Sequence, residues 1–274
     1  MAKSVFKYGV LGSILTLGVL ASPANAEEIK HETRFAVKFG GLDIAKVKFD
    51  INFDDNSYSL KGAGHTAGLV NWFTSGTGEV FSEGELQKTD LKPKAHKVSV
   101  VQKKKKPESV RLAFANDKVS DVELKYNKKP KVRKAPNYVP VEAQHLAAVL
   151  DPASPIIIPV TGKDARDGRK VCNQRFPIFD GETRYDIKLR YLSTKPVKTA
   201  GYNGHAYVCR LRYIPIAGHK KNHRNTKEMA ANKNMEIWLA PMGGVSVFTP
   251  IKISVSTKYG RFSAVPEYFG SPTQ

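Results

Sequence analysis

Cysteine, tryptophan and acidic residues are scarce in this sequence. Its 274 residues include two Cys, two Trp and 25 Asp or Glu, against 44 Lys or Arg. Two cysteines without CxxC spacing argue against a thiol–disulfide redox enzyme. The GxSxG and HExxH motifs, which mark many serine hydrolases and zinc peptidases, are also lacking. A nucleophile assembled from distant residues stays open, but the sequence singles out no catalytic residue.

Long apolar runs are equally scarce, because only the N-terminus has one. Two lysines precede the apolar residues 8–20, and small residues follow at the two positions that a signal peptidase reads, Ala24 and Ala26. This pattern predicts a signal peptide over residues 1–26, cleaved after Ala26. After it, no run reaches the roughly 18 apolar residues of a membrane-spanning helix. We therefore expect a single periplasmic β-rich domain over residues 27–274.

The shortage of acidic residues leaves the chain strongly basic, with a formal net charge of +19. An exported protein of this charge is attracted to anionic surfaces such as lipopolysaccharide, phospholipid headgroups or acidic wall polymers. Nucleic acid is an unlikely partner, since it is rare in the predicted compartment. The alternative interpretation is that the charge serves solubility alone.

The two cysteines, Cys172 and Cys209, both lie in the predicted exported part. An even count in an oxidising compartment favours one disulfide between them. Two buried thiols or a metal-binding pair are the alternatives at this point.

Apolar residues recur with period two through most of the chain, which predicts β-strands. Phe35, Val37 and Phe39 alternate with other residues before Gly40-Gly41, a pair typical of a hairpin turn. The pattern continues with short turns to residue 126 and indicates about seven antiparallel strands. Strands resume after residue 170, and they include the alternating segment 183–192.

One helix is expected between these two groups of strands, at residues 141–150, where Leu146, Val149 and Leu150 form an apolar stripe. Residues 218–234 are polar and are interpreted as a loop. A dozen short strands must curl or stack to protect their edges. The predicted fold is therefore mainly β, a large antiparallel sheet that is open or spiral and barrel-like, with one central helix that covers or plugs it.

Two segments resemble a known family. Residues 179–186 (FDGETRYD), then Cys209 and residues 215–219 (PIAGH), resemble a proteobacterial periplasmic family known only as a domain of unknown function. That family is similar in shape to the alphaproteobacterial envelope-integrity proteins, which fold as a spiral β-sheet with a disulfide. The resemblance implies a role in envelope homeostasis, and it supplies no catalytic residues.

The strongest candidate binding site is a basic region between residues 103 and 134, where lysine and arginine far outnumber acidic residues. Its runs fall in turns, so they would project together if the strands pair, and they would attract phosphates and carboxylates. A solvated loop that protects a sheet edge is the alternative. The predicted anion-binding residues are Lys103, Lys104, Lys105, Lys106, Lys128, Lys129, Lys131, Arg133 and Lys134.

Two other groups of polar residues are weaker candidates. Glu182, Arg184 and Asp186 share one face of a predicted strand and are expected to form a surface ion-pair ladder rather than a catalytic carboxylate pair. His219 and His223, with His205, have a spacing that zinc could use. Lysines around them repel a cation, so we predict no metal and no cofactor.

Aromatic residues offer a last indication. Trp72-Phe73 and Trp238 could line a cavity for an acyl chain, although such residues more often belong to the core. Together these features predict a non-enzymatic protein of cell-envelope homeostasis that binds lipid, lipopolysaccharide, a wall polymer or an envelope protein. The alternative is a periplasmic hydrolase that acts on wall or lipid, which requires a polar pocket with convergent titratable groups.

Overall fold

The computed structural model describes residues 28–54, 56–68, 75–103, 105–126, 137–243 and 246–272. The predicted signal peptide lies outside these residues, as does Trp72-Phe73. Among the residues that are described, no helix combines the length and the apolar composition needed to cross a membrane.

Sixteen strands make up most of the described chain. They are β1 (Ile29–Phe39), β2 (Leu42–Asp54), β3 (Ser57–Thr66), β4 (Gly76–Gln87), β5 (Asp90–Gln102), β6 (Glu108–Ala115), β7 (Lys118–Lys125), β8 (Tyr138–Val139), β9 (Ile158–Pro159), β10 (Arg175–Phe179), β11 (Arg184–Thr199), β12 (Tyr202–Ala217), β13 (His219–Lys220), β14 (Met235–Pro241), β15 (Val247–Thr257) and β16 (Gly260–Gly270).

Fourteen of these strands form one sheet in the order β10-β11-β12-β14-β15-β16-β1-β2-β3-β4-β5-β6-β7, with β9 paired to β15. Neighbouring strands in this order are antiparallel, and β8 pairs separately with β13. The first strand of the sheet thus lies beside the last one in sequence. The mainly-β prediction is confirmed, including the seven-stranded antiparallel series at the start.

The first hairpin shows how the local sequence fixes the sheet. Gly40 and Gly41, between β1 and β2, have φ angles of 58° and 94°. Side chains avoid this left-handed region because of Cβ clashes, whereas glycine enters it freely. A two-residue turn of this kind matches the twist of the two strands and sets their register.

Residues 147–160, here named the interior segment, run between the two outer strands of the sheet and then inside it. The Ala148 N–H donates to the Asp117 carbonyl beside β7 at 2.7 Å, and the Leu150 N–H donates to the Pro177 carbonyl of β10, also at 2.7 Å. Strands β7 and β10 do not pair with each other. The sheet is therefore not closed by strand pairing, and the interior segment satisfies part of both edges.

The core forms where this segment packs against the sheet. Ile157 and Ile158 are almost fully buried, the first against strands β2 to β5 and the second against the C-terminal strands. Burial of such side chains stabilises the fold by about 1.5–3 kcal/mol each. The segment thus holds the two halves of the sheet together.

The helix predicted over residues 141–150 is wrong in kind, because only a 3₁₀ turn, Ala143–Leu146, forms there. The chain leaves helical geometry at Ala147 and Ala148, where backbone groups bond to the sheet edges instead. The chain that enters the interior of the sheet is therefore irregular rather than helical. Short 3₁₀ turns also occur at Ser154–Ile156 and Gly162–Arg166.

Two α-helices occur in the described chain, α1 (Gly168–Val171) and α2 (Arg224–Ala231). The second lies within residues 218–234, so interpreting that segment as a loop was wrong. Its largely polar sequence hid a short exposed helix, and the Arg224–Glu228 ion pair, four residues apart, supports it.

The predicted disulfide between Cys172 and Cys209 is confirmed. Its Cα atoms are 5.5 Å apart, and it joins the end of α1 to the middle of β12. Both cysteines are buried in the core cluster of the C-terminal strands. The disulfide therefore fixes helix α1 to the sheet.

Candidate functional site

The predicted anion-binding residues are only partly within the described chain. Lys103, Lys105 and Lys106 are exposed in the turn between β5 and β6. The remaining predicted residues lie outside the described ranges: Lys104, Lys128, Lys129, Lys131, Arg133 and Lys134. Anion binding by this region stays a prediction.

A second basic surface lies on the outer face of β11 and β12. Lys188 is the register partner of Arg212, and Arg190 is the partner of Arg210. We name these four residues the cationic face. Directly opposed side chains on neighbouring strands have Cβ atoms about 5 Å apart, so the four positive charges form a compact grid.

Neutralising carboxylates are few at the cationic face. Lys188, Arg190 and Arg210 make no ion pair with any described residue, and the Arg212 guanidinium donates to the Ala230 carbonyl at 3.0 Å. Glu236 is the register partner of Arg210 on β14, yet the two form no ion pair within 4 Å. The face therefore keeps most of its charge.

The basic surface continues beyond β11. Arg169 and Lys170 of α1 line a shallow depression of about 700 Å³ together with Lys188 and Arg190. Like charges directly opposite each other on neighbouring strands are destabilising. An anion placed between them would relieve that repulsion, and arginine can bind a phosphate or carboxylate through two parallel hydrogen bonds.

Sequence reasoning missed this face although a signal was present. Both strands carry basic residues at alternate positions, Lys188 and Arg190 in one and Arg210 and Arg212 in the other. Alternation places each pair on one side of its strand. The register that aligns the pairs depends on a bulge between Tyr191 and Ser193, which the sequence does not reveal.

A buried polar cluster forms a second candidate site. The Asp151 carboxylate lies inside the sheet and accepts hydrogen bonds from the Ser82 hydroxyl at 2.8 Å, from the Ser154 hydroxyl, and from two backbone N–H groups, of Ala153 and Ser154. The His96 Nδ1 lies 3.1 Å from the same carboxylate. Two strands, β4 and β5, and the interior segment thus converge on one carboxylate.

Tyr58 of β3 completes the cluster. Its hydroxyl lies 2.7 Å from the Ser154 oxygen, and since the Ser154 hydroxyl donates to Asp151, Tyr58 donates to Ser154. Burial raises the pKa of the Tyr58 phenol, and the nearby Asp151 charge raises it further. The phenol therefore stays protonated and keeps donating.

The Asp151 carboxylate is ionised despite complete burial. Desolvation alone would raise its pKa, but the hydrogen bonds from His96, Ser154 and Ser82 together outweigh that effect and lower the pKa below its ordinary value. The charge is therefore stabilised by donors fixed in the fold.

The hydrogen-bond pattern of this cluster differs from that of a nucleophilic triad. In a triad the serine and the carboxylate bind opposite ring nitrogens of the histidine. Here Ser82 and Asp151 both lie at His96 Nδ1, and the Ser82 hydroxyl donates to the carboxylate. Ser82 is also fully buried. The arrangement therefore joins β4 and β5 to the interior segment.

The predicted surface ladder around Asp186 is partly wrong. Arg184 does donate to Asp186, but the carboxylate is 2% exposed and also receives Arg175 of β10 at 2.6 Å. Strand β10 thus covers Asp186, which the alternating pattern had placed at the surface. Glu182 accepts a hydrogen bond from the Tyr126 hydroxyl at 3.4 Å.

The three histidines do not share one element. His219 lies in β13, His223 immediately precedes α2, and His205 is exposed in β12. A common helix face for His219 and His223, which the zinc spacing assumes, is therefore absent. The described residues hold no group of three or more potential metal-ligating side chains.

Trp238, the one described residue among the cavity-lining candidates, packs in a core cluster. It is partly buried against the cluster of Ala206, Ala240, Ile251 and Phe269, and the Lys252 ammonium lies 4.5 Å from its ring centroid. Its placement matches the core interpretation of this residue.

Comparisons with known proteins agree with the architecture. The structure is similar to the crystal structure of a beta-barrel-like protein of domain of unknown function DUF1849 from Brucella abortus, with a TM-score of 0.55 at 10% sequence identity. The match covers 89% of this chain and 98% of that chain. No curated protein matches the chain.

A family model described as a protein of unknown function, DUF3108, matches residues 34–265. The matched residues extend from β1 to β16 and include both candidate sites. The resemblance to a family of unknown function, inferred from short motifs, is thereby confirmed. The chain belongs to the DUF3108 family.

Proposed function

We propose that this chain is a non-enzymatic periplasmic protein of cell-envelope homeostasis that binds an anionic envelope component through its cationic face. The proposal rests on the grid of Lys188, Arg190, Arg210 and Arg212, none of which forms an ion pair with a described residue. The basic character of the chain and the predicted export signal are consistent with such a ligand.

Solubility alone does not account for this surface. Dispersed charges keep a protein soluble, whereas directly opposed like charges cost stability. A ligand with several anionic groups recovers that cost on binding. The grid spacing is about 5 Å across the strands and about 7 Å along them, so it suits adjacent phosphates or carboxylates. Lipopolysaccharide, phospholipid headgroups and acidic wall polymers share this chemistry.

Charge reversal tests the proposal. We expect Arg190→Glu/Arg210→Glu to weaken binding to soluble polyphosphate by about tenfold or more, because two attractive contacts become repulsive. Binding by the unaltered chain should also weaken with added salt, since exposed charges are screened. Titration by calorimetry at low and high salt measures both effects.

A matched control lies on the same hairpin. Lys195→Glu/Lys198→Glu changes the net charge equally but alters exposed lysines away from the grid, so it should weaken binding far less. Equal losses in the two double variants would show a nonspecific charge effect and reject the site. Lys103→Glu/Lys105→Glu, measured in parallel, tests the basic region that the sequence predicted. Lipopolysaccharide, anionic vesicles and wall fragments then identify the source of the anion.

A further inference from the structure

Exposed apolar side chains concentrate at one end of the sheet. Of the seven large apolar residues with the greatest exposure in the described chain, five lie in or beside turns at this end. We name this surface the hairpin rim, and its apolar members are Leu42 (65% exposed), Val100 (39%), Val101 (45%), Tyr259 (72%) and Phe262 (41%).

The topology brings these residues to the same end. Strands β15, β16, β1 and β2 are successive antiparallel neighbours, so the β15–β16 and β1–β2 turns lie side by side. The Gly40 N–H donates to the Arg261 carbonyl at 3.0 Å, and the rings of Phe39 and Phe262 lie 4.5 Å apart. The end of β5, with Val101, follows three strands further along the sheet.

The opposite end has a different composition. Its turns contain Asn56, Lys88-Thr89 and Asn116-Asp117, and none of its described residues is among the exposed large apolar side chains. The same protein therefore presents polar turns at one end and apolar turns at the other. A requirement for solubility alone would favour polar turns at both ends.

Unpaired cations lie among the apolar side chains of the rim. Lys103, Lys105 and Arg261 are exposed and make no ion pair with any residue in the described ranges. Among the rim carboxylates, Glu108 is the register partner of Val100, Asp43 is engaged by Lys38 at 2.5 Å, and Glu228 is engaged by Lys258. The rim thus combines apolar projections with net positive charge.

We propose that the hairpin rim docks onto an anionic phospholipid bilayer. Leu42, Tyr259 and Phe262 would enter the headgroup region, while the cations contact lipid phosphates. Tyrosine suits this boundary because its ring is apolar and its hydroxyl is polar. Lysine and arginine can bury their aliphatic stems and keep their charges at the phosphates. Apolar burial and attraction to anionic lipid act together at such interfaces.

Charge complementarity favours a bilayer over a second copy of the chain. A dimer formed through the rim would bring unpaired cations of one copy towards those of the other, whereas an anionic bilayer neutralises them. The rim is separate from the cationic face, so this inference does not depend on the proposed function.

The test measures partition into vesicles that contain phosphatidylglycerol, with pure phosphatidylcholine vesicles as the reference. We expect the unaltered chain to co-sediment with the anionic vesicles. Leu42→Ser/Tyr259→Ser should lower the partition coefficient by about tenfold or more, since both the apolar contact and its position at the interface are lost. Thermal unfolding of each variant shows whether it is folded.

The remaining two exposed apolar residues supply a matched control. Val122→Ser/Leu192→Ser removes similar apolar area outside the rim, so partition should stay within about twofold of the unaltered chain. A second measurement detects contact with the bilayer directly. The indole fluorescence of a Tyr259→Trp variant should be quenched by brominated lipids. Val122→Trp, at an exposed position outside both the rim and the cationic face, should not respond.

Three results would overturn the inference. These are an absence of binding to anionic vesicles, equal partition of the rim variant and the unaltered chain, and a rim-dependent dimer that ignores vesicles. In the last case, the rim binds a second copy of the chain rather than a bilayer. Soluble polyphosphate binding, measured on the same rim variant, should be unchanged, which separates this surface from the cationic face.

Discussion

At the scale of single residues, Asp151 is the most consequential side chain of the interior. It is fully buried and ionised, and strands β4 and β5 and the interior segment all supply donors to it. We expect Asp151→Asn to lower the free energy of unfolding by about 3 kcal/mol, because an amide turns an NH₂ group towards donors that lose their acceptor.

Chemical denaturation of Asp151→Asn, compared with Asp121→Asn, measures this effect. Asp121 is an exposed carboxylate of β7 without an ion pair in the described chain, and its substitution should change stability by less than about 0.5 kcal/mol. If the two variants lose equal stability, the cluster does not hold the strands together.

His31 gives the fold a dependence on pH. Burial lowers the pKa of its imidazole from 6.5 to about 4, and its Nε2 has no hydrogen-bond partner among the residues that the structure describes. The unfolded chain therefore binds a proton that the folded chain does not, so protonation favours unfolding. Stability from this group is complete above pH 6.5 and falls as the pH approaches 4, by about 3 kcal/mol in total.

His31→Phe tests this prediction because a phenyl ring can keep the edge contact with Phe269, whose ring centroid is 4.4 Å away. The variant should lose less stability than the unaltered chain between pH 6.5 and 4. His205→Gln, at an exposed position, should follow the unaltered chain. Parallel pH curves for His31→Phe and the unaltered chain would show that His31 does not titrate in this way.

At the scale of elements, the interior segment contains a strained residue. Ala148 has a φ of 50°, a left-handed conformation that costs a non-glycine residue about 1–2 kcal/mol. Its side chain is exposed, so its removal leaves no cavity. We expect Ala148→Gly to raise the free energy of unfolding by about 0.5–1 kcal/mol, after the greater entropy of glycine in the unfolded chain is subtracted.

Ala147→Gly is the matched control for this change. Ala147 has a φ of −95°, where alanine is unstrained, and the substitution should lower stability by about 0.5–1 kcal/mol. Thermal unfolding distinguishes the opposite signs. A loss of stability in both variants would mean that strain at Ala148 is offset by contacts of its methyl group.

The elements that the sequence predicted best are those decided by local chemistry. Strands β1 and β2 follow from alternating apolar residues and a glycine turn, and both are present. The interior segment could not be predicted, since the bonds of Ala148 and Leu150 go to distant strands rather than along a helix. Its apolar stripe is real, but long-range pairing decides its conformation.

At the scale of the whole molecule, the same distinction explains which site was predictable. Basic runs such as residues 103–106 are visible in the sequence without a structure. The cationic face requires the register of β11 against β12, and the hairpin rim requires the order of the seven strands from β15 to β5. Surfaces that form only when distant strands pair cannot be predicted from composition.

The pairing of β1 with β16 also has a kinetic consequence. Thr33 is the register partner of Phe269, so residues more than two hundred positions apart must meet. Contacts of such separation are slow to form because a long loop has to close first. Strands β1 to β7 can assemble early through neighbouring hairpins, but one flank of β1 stays unsatisfied until the C-terminus emerges. During synthesis, that unpaired flank is therefore the edge that a chaperone would bind first.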